Sequence, residues 1–257
     1  VATPVNPVRK RTVQRINPIR RRGVVRVNPK RPTDDVEVQY LLVAGGGSGN
    51  NGASVVQGGA GGAGGVKEGS FIAKKGDRFE VLVGAGGAPG GNPGGDSEIV
   101  GVDTATGGGQ GGGAPGDPGG DGGSGGGAGA GSGTGGQGVD GQGHDGGDSN
   151  ASSFGAGGGG AGGPAVAAGL LGGPGIFRDI DGARTEYARG GQRSVSATLY
   201  GQGGPGTYSS VDFTGTDGFQ GVLKLRYRNR LQGLGGAVTR FGPWRVHTFT
   251  TNGWLEF

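Results

Sequence analysis

Apolar residues in this chain come in short bursts of alternation, separated by long stretches with no apolar pattern. Val36, Val38, Tyr40 and Leu42 lead into a glycine run that opens at Ala44-Gly45-Gly46-Gly47. Alternation over eight residues, rich in β-branched and aromatic types, predicts a strand at 36–43. A second burst, Arg78-Phe79-Glu80-Val81-Leu82-Val83, follows the Lys75-Gly76-Asp77 turn and again ends in glycine. It predicts a strand at 78–83. The pattern returns at 221–227 and at 244–257, where Trp244–Thr250 is expected to pair with Trp254–Phe257 across Asn252-Gly253. Two halves of one small β core are thus far apart in sequence, with a glycine region inserted between them.

That region sets the character of the chain. Of 257 residues 72 are glycine, about four times the usual share of roughly 7 %. The glycines sit in blocks: residues 58–65, residues 84–95 and the near-continuous run 107–147. Glycine buries no side chain and loses the most backbone entropy on folding, so ordered glycine needs another source of stability. Several blocks repeat every three residues. Gly58, Gly61 and Gly64 do so in one block, and Gly113-Ala-Pro, Gly116-Asp-Pro and Gly119-Gly-Asp in another. Period three matches the left-handed polyproline II helix, which has no internal hydrogen bonds and must bond to its neighbours. The expected fold class is mostly β and irregular. A small β core would carry a bundle of polyglycine or polyproline II helices, preceded by an extended arm at residues 1–35. Residues 36–257 form the second domain. A collagen triple helix fits less well, because the triplet register breaks after a few repeats.

Charge divides the chain at the same point. Residues 1–35 hold ten Lys and Arg against Asp34 and Asp35, a net of +8, so the remaining residues carry −4 of the overall +4. Three Asn-Pro units, at Asn6, Asn17 and Asn28, oppose helix. The apolar residues beside them, with interspersed arginines, suggest docking onto a larger assembly through Val5, Val8, Arg9, Ile16, Ile19, Arg20 and Val27. A solvated basic tail is the plainer alternative. Nucleic acid is the least favoured partner, because no aromatic is interleaved for base stacking.

Little in the sequence points to catalysis. Matches to G-x-G-x-x-G are expected by chance in such a composition, and none precedes an amphipathic helix. Cysteine is absent, and the two histidines, His144 and His247, are far apart. Residues 135–142 come near a calcium-binding nonapeptide, but Gln142 fills its large apolar position and no tandem copies follow. No metal or other cofactor is expected. Asp117, Asp121, Asp140, Asp145 and Asp148 read as solubilising charges on the bundle surface. No apolar run approaches the roughly 18 residues of a membrane span, so no membrane insertion is expected. Tyr200, Tyr208 and Phe213 stand in a glycine-rich segment, where rigid aromatics beside small polar residues suit a contact surface. They equally suit a cap on the bundle or packing between subunits.

Residues 36–47 (VEVQYLLVAGGG), 79–87 (FEVLVGAGG), 94–97 (GGDS), 105–109 (ATGGG), 187–191 (YARGG) and 221–227 (GVLKLRY) occur in that order. Together they resemble the glycine-rich domain of bacteriophage tail fibres and tail-tip adhesins. Trp244–Thr250 resembles a segment that usually precedes the first strand of that domain, yet here it follows the last. The resemblance implies a non-enzymatic virion protein, a homo-oligomer with a trimer favoured, that attaches to the host surface. Other virion proteins would hold the arm, and a host glycan or outer-membrane protein would meet Tyr200, Tyr208 and Phe213. A capsid fibre or decoration protein with a purely structural role is the alternative.

Overall fold

The computed structural model describes residues 35–53, 56–150, 154–166, 169–207, 214–228 and 231–257. The docking residues Val5, Val8, Arg9, Ile16, Ile19, Arg20 and Val27 lie outside this set, as do Tyr208 and Phe213. The chain divides into two units, Val1–Thr33 and Asp34–Phe257, and the second contains every described residue.

Among the described residues there is no helix, and all strand pairing is antiparallel. The strands are β1 (Val36–Val43), β2 (Val66–Ala73), β3 (Arg78–Leu82), β4 (Ser97–Ile99), β5 (Asp103–Ala105) and β6 (Ile176–Arg178), then β7 (Thr185–Tyr187), β8 (Val222–Arg228), β9 (Ala237–Phe241), β10 (Trp244–Phe249) and β11 (Gly253–Glu256). A five-stranded sheet has the order β2-β1-β8-β10-β9, a four-stranded sheet β11-β3-β4-β5, and β6 with β7 forms a small third sheet.

From Tyr40 to Val43 strand β1 is buried on both faces, which explains its apolar richness there beyond simple alternation, whereas Glu37 is exposed. Val36, Val38, Tyr40 and Leu42 face a core shared with Leu223, Leu225 and Tyr227 of β8 and Phe249 of β10. Val81, Ile99 and Leu255 reach the same core from the four-stranded sheet. Ring contacts run through it from Tyr40 to Phe71 at 6.3 Å and from Phe71 to Phe79 at 4.8 Å. On the other face, Leu41, Val43 and Val222 pack with Ile180, Tyr187 and Ala188, so the β6–β7 hairpin closes a second core.

The pairing of β1 with β8 joins the two sequence-distant halves of the core, with Val43 opposite Val222. The C-terminal strands are arranged otherwise than their sequence suggests. Trp244–Phe249 pairs with β8 and β9, while Gly253–Glu256 pairs with β3 in the other sheet. Phe249 and Leu255 both belong in the core between the sheets. Residues 250–252 therefore cross from one sheet to the other instead of closing a hairpin. The Asn252 side chain fixes that crossing by accepting a hydrogen bond from the Val83 amide at 2.8 Å.

Candidate functional site

The glycine segments continue the sheets. After the Val43–Val66 pair of β1 and β2, the Ala44 amide donates to the Gly65 carbonyl at 3.0 Å, and residues 44–50 then run antiparallel to 59–65. In a strand, successive amides alternate between two sides. In segment 59–65 they turn through three. Gly59, Gly62 and Gly65 donate to Gly112, Gly109 and Thr106; Ala60 and Ala63 to Ala156 and Gly159; Gly61 and Gly64 to Gly204 and Gly201, all at 2.8–3.0 Å. The carbonyls repeat the pattern. Gly59, Gly62 and Gly65 accept from Asn50, Gly47 and Ala44, Ala60 and Ala63 from Gly127 and Ser124, and Gly61 from Gly191. Segment 59–65 is therefore surrounded by chain at 44–50, 106–112, 124–127, 156–159, 191 and 201–204.

Segment 44–50 bonds by the same rule: Ala44, Gly47 and Asn50 to 59–65, Gly45 and Ser48 to Gly95 and Asn92, Gly46 and Gly49 to Phe219 and Thr216. Buried backbone polar groups must be paired, and here a three-fold lattice of neighbours pairs them without a hydrophobic core. The spacing leaves no room for side chains at many of these positions. A Cβ on Gly61 would meet the Gly47 carbonyl oxygen at 2.1 Å, and one on Gly158 the Gly61 carbonyl oxygen at 2.0 Å.

Small polar side chains complete the lattice where a neighbouring backbone is missing. The Ser48 hydroxyl accepts from the Asn92 amide at 2.8 Å, and that of Thr207 from Gly58 at 2.8 Å. The Ser97 hydroxyl accepts from Gly84 and donates to the Val43 carbonyl, both at 2.9 Å, which ties the sheet end to the lattice. At the margin, carboxylates do the same. Asp148 accepts from the Gly135 amide at 2.8 Å, Asp121 from Gln137 at 2.7 Å and Asp145 from Gly138 at 2.8 Å. These acidic residues are thus lattice partners as well as surface charges.

Two buried polar networks brace the sheets. His247 of β10 is fully buried, its Nδ1 at 2.6 Å from the Gly235 carbonyl and its Nε2 at 3.0 Å from the Tyr227 hydroxyl. A carbonyl only accepts, so Nδ1 carries the proton and Nε2 accepts from Tyr227. The Tyr227 oxygen in turn accepts from the Gly233 amide at 2.9 Å. Burial, the largest influence, lowers the His247 pKa below its usual value. On the opposite face Lys224 of β8 pairs with Asp181 at 2.5 Å. Burial, the largest single influence, works against the charge of both, but the hydrogen bonds and charge attractions around the pair together outweigh it, raising the Lys224 pKa and lowering that of Asp181. Burial and then the 2.7 Å hydrogen bond to Asp103 push the Tyr40 pKa up to about 12.

Of the three aromatics singled out in the sequence, Tyr200 is the one described. It is half-buried against the second core, its ring 5.8 Å from that of Phe219. The segment 176–187, which interrupts the glycine pattern, supplies the β6–β7 hairpin, and a cleft opens between that hairpin and strands β1, β2 and β8. Sequence reasoning did not find this cleft, because its residues come from four separate stretches of chain. Among the described residues, no three His, Asp or Glu side chains are grouped to hold a metal ion. No helix among them is long and apolar enough to cross a membrane.

These features define an all-β protein whose sheets anchor a hydrogen-bonded glycine lattice. Residues 26–238 match the family model described as a glycine-rich domain, and the chain belongs to that family. No curated protein and no solved structure matches it.

Proposed function

We propose that this chain is a non-enzymatic bacteriophage virion protein, a tail fibre or adhesin that attaches the particle to its host, and that its glycine segments are polyglycine II helices. The observation that carries the reading is the three-residue repeat of hydrogen-bond direction in segments 44–50 and 59–65. Three residues per turn without internal bonds is the geometry of that helix type. A lattice of such helices is stiff and offers side chains chiefly at its turns and margins, which suits a fibre or a displayed tip. The resemblance at 36–47 and 221–227 supports the virion setting. In this reading residues 1–35 dock to other virion proteins, the protein is extracellular on the particle, and the chains form a homo-oligomer with a trimer favoured.

The purely structural alternative, a capsid fibre or decoration protein, gains support from Tyr200, whose ring packs against Phe219 and the second core. One experiment separates the two. Particles carrying Tyr200→Ala, Tyr208→Ala and Phe213→Ala together are assembled and their adsorption to host cells is measured. Loss of adsorption with assembly intact supports the adhesin. Unchanged adsorption moves the chain to the structural class, and absence of the protein from purified particles ends the virion reading.

A further inference from the structure

Two clefts meet on the face of the five-stranded sheet that carries the β6–β7 hairpin. The first, of about 340 Å³, is lined by Gln39, Glu68, Ser70, Asp179 and Arg226 above Leu41 and Ile180. The second, of about 480 Å³, is lined by Lys67, Asp140, Gln142 and His144 beside Ile176. Glu68 and Arg178 border both, and their side chains form an ion pair where the clefts join. Each volume lies in the range of small-molecule sites, about 300–1,000 Å³.

The lining has three properties that together select a ligand. Its charges nearly balance: Arg178 and Arg226 stand against Glu68, Asp179 and Asp140, while the Lys67 ammonium is paired with Asp103 at 3.7 Å. A strongly anionic or cationic ligand would therefore meet like charge at close range, which costs several kcal/mol. Next, the lining holds both donors and acceptors that the protein leaves uncommitted. Gln39 accepts from Arg226 through its side-chain oxygen at 2.8 Å, which leaves its amide nitrogen as a donor. The Asp179 carboxylate takes part in no hydrogen bond or ion pair among the described residues. Finally, the base of the cleft is apolar, where Ile180 keeps 9 % exposure above the covered Leu41. A ligand that pairs many hydroxyls with mixed donors and acceptors, and lays C–H faces on an apolar floor, is a sugar.

We propose that this double cleft binds a neutral oligosaccharide, with Asp179 and Gln39 as its principal hydrogen-bonding residues. The biological setting, a host glycan, rests on the adhesin reading, whereas the chemistry rests on the cleft. It assigns glycan contact to residues other than Tyr200, Tyr208 and Phe213.

The test uses the full-length protein and titrates it with neutral glucose-, galactose- and mannose-based tetrasaccharides, and separately with a sulfated heparin tetrasaccharide. Binding is followed by calorimetry and by NMR shifts of Gln39 and the Asp179 region. Saturable binding of at least one neutral tetrasaccharide is expected. It should weaken at least about tenfold in both Asp179→Ala and Gln39→Ala, as expected for loss of one good hydrogen bond. Thermal unfolding of each variant checks that the fold is kept. If no neutral sugar binds, if the sulfated sugar binds in preference, or if both variants bind unchanged, the proposal is overturned. Particles carrying Asp179→Ala distinguish the two readings. Sugar binding without any role of the protein in adsorption removes the adhesin reading alone. Protein-dependent adsorption without sugar binding removes the cleft proposal alone.

Discussion

The amide of Gly191 donates to the carbonyl of Gly61 at 2.9 Å in a space where neither residue has room for a methyl group. A Cβ on Gly61 would lie 2.1 Å from the Gly47 carbonyl oxygen, and one on Gly191 2.3 Å from that of Gly204. Glycine is needed at these sites for close approach of neighbouring backbones. The lattice is consequently a packed interior made of peptide groups. Its stability rests on the pairing of its donors and acceptors, since each buried unpaired group costs about 1–3 kcal/mol.

Substitution inside the lattice should therefore behave like overpacking of a core. In Gly158→Ala the new methyl meets the Gly61 carbonyl oxygen at 2.0 Å, and backbone held on several sides cannot step aside. A loss of about 3 kcal/mol or more is expected, the upper end for overpacking. Gly113→Ala is the matched control, because its nearest atom is the exposed Asp117 carboxylate oxygen at 2.8 Å, which can swing away. Its loss should stay below about 1 kcal/mol, in the range of an ordinary surface substitution. Denaturant unfolding of the two variants checks the contrast; equal losses would mean that the lattice yields.

The His247 network makes stability depend on pH. Burial lowers its folded-state pKa, so the unfolded chain binds the proton more readily than the folded one. The sign follows from linkage: the contribution is full above the unfolded value of about 6.5 and is lost as pH falls through that value toward the folded one. Unfolding midpoints measured between pH 8 and pH 5 should fall on the acid side. An NMR titration of His247 should give a midpoint below about 6.5. A midpoint above that value would refute the assignment of a neutral, Nδ1-protonated ring bonded to Gly235 and Tyr227.

How much of this was legible in the sequence depended on whether a residue reports through a periodic pattern. Strands β1, β3 and β8 show it, because each places apolar side chains in a core. Strand β2 is interrupted by Lys67, Glu68 and Gly69, and β9 is exposed along its whole length. Both are edge strands, fixed by backbone pairing with β1 and β10, and edge pairing leaves little trace in side-chain type. The turn residues Asn252-Gly253 look like a hairpin, yet Phe249 and Leu255 both belong in one core, and tertiary packing overrode the local signal. Glycine at period three did indicate lateral bonding. Which segment bonds to which was not readable, because identical residues carry no partner code. The cleft was hidden for a further reason: Gln39, Glu68, Asp179 and Arg226 meet only once β1, β2 and β8 are in register and the β6–β7 hairpin is seated on them.

Lys224 and Asp181 offer a test of the second core. Lys224 is 7 % exposed, and its ammonium also sits 5.5 Å from the Tyr187 ring. Lys224→Met removes one charge and leaves the other beside an apolar surface. Breaking a fully buried pair costs about 3–5 kcal/mol; the Asp181 side chain keeps 20 % exposure, so a loss of about 2–3 kcal/mol is expected on the same basis. The double variant Lys224→Met with Asp181→Asn should recover much of it, because no unpaired charge remains. A double variant as unstable as the sum of its two singles would show that the residues do not act as a pair.

The marginal carboxylates make the most local prediction. Along residues 135–138, the amides of Gly135, Gln137 and Gly138 are held by the side chains of Asp148, Asp121 and Asp145, whereas that of Gly136 is held by the Gly126 carbonyl. The three side-chain acceptors stand in for backbone partners that the lattice does not supply at these amides. Replacing all three aspartates with alanine should leave the three amides open to water while Gly136 keeps its partner. Amide hydrogen exchange resolved by residue is the measurement. Exchange at Gly135, Gln137 and Gly138 should accelerate by about tenfold or more, the equivalent of roughly 1.4 kcal/mol of lost protection for a charge-assisted bond, with Gly136 much less affected. Acceleration of all four together would mean that the carboxylates hold the whole segment on the bundle. No change at any of them would mean that water already serves these amides as well as the aspartates do.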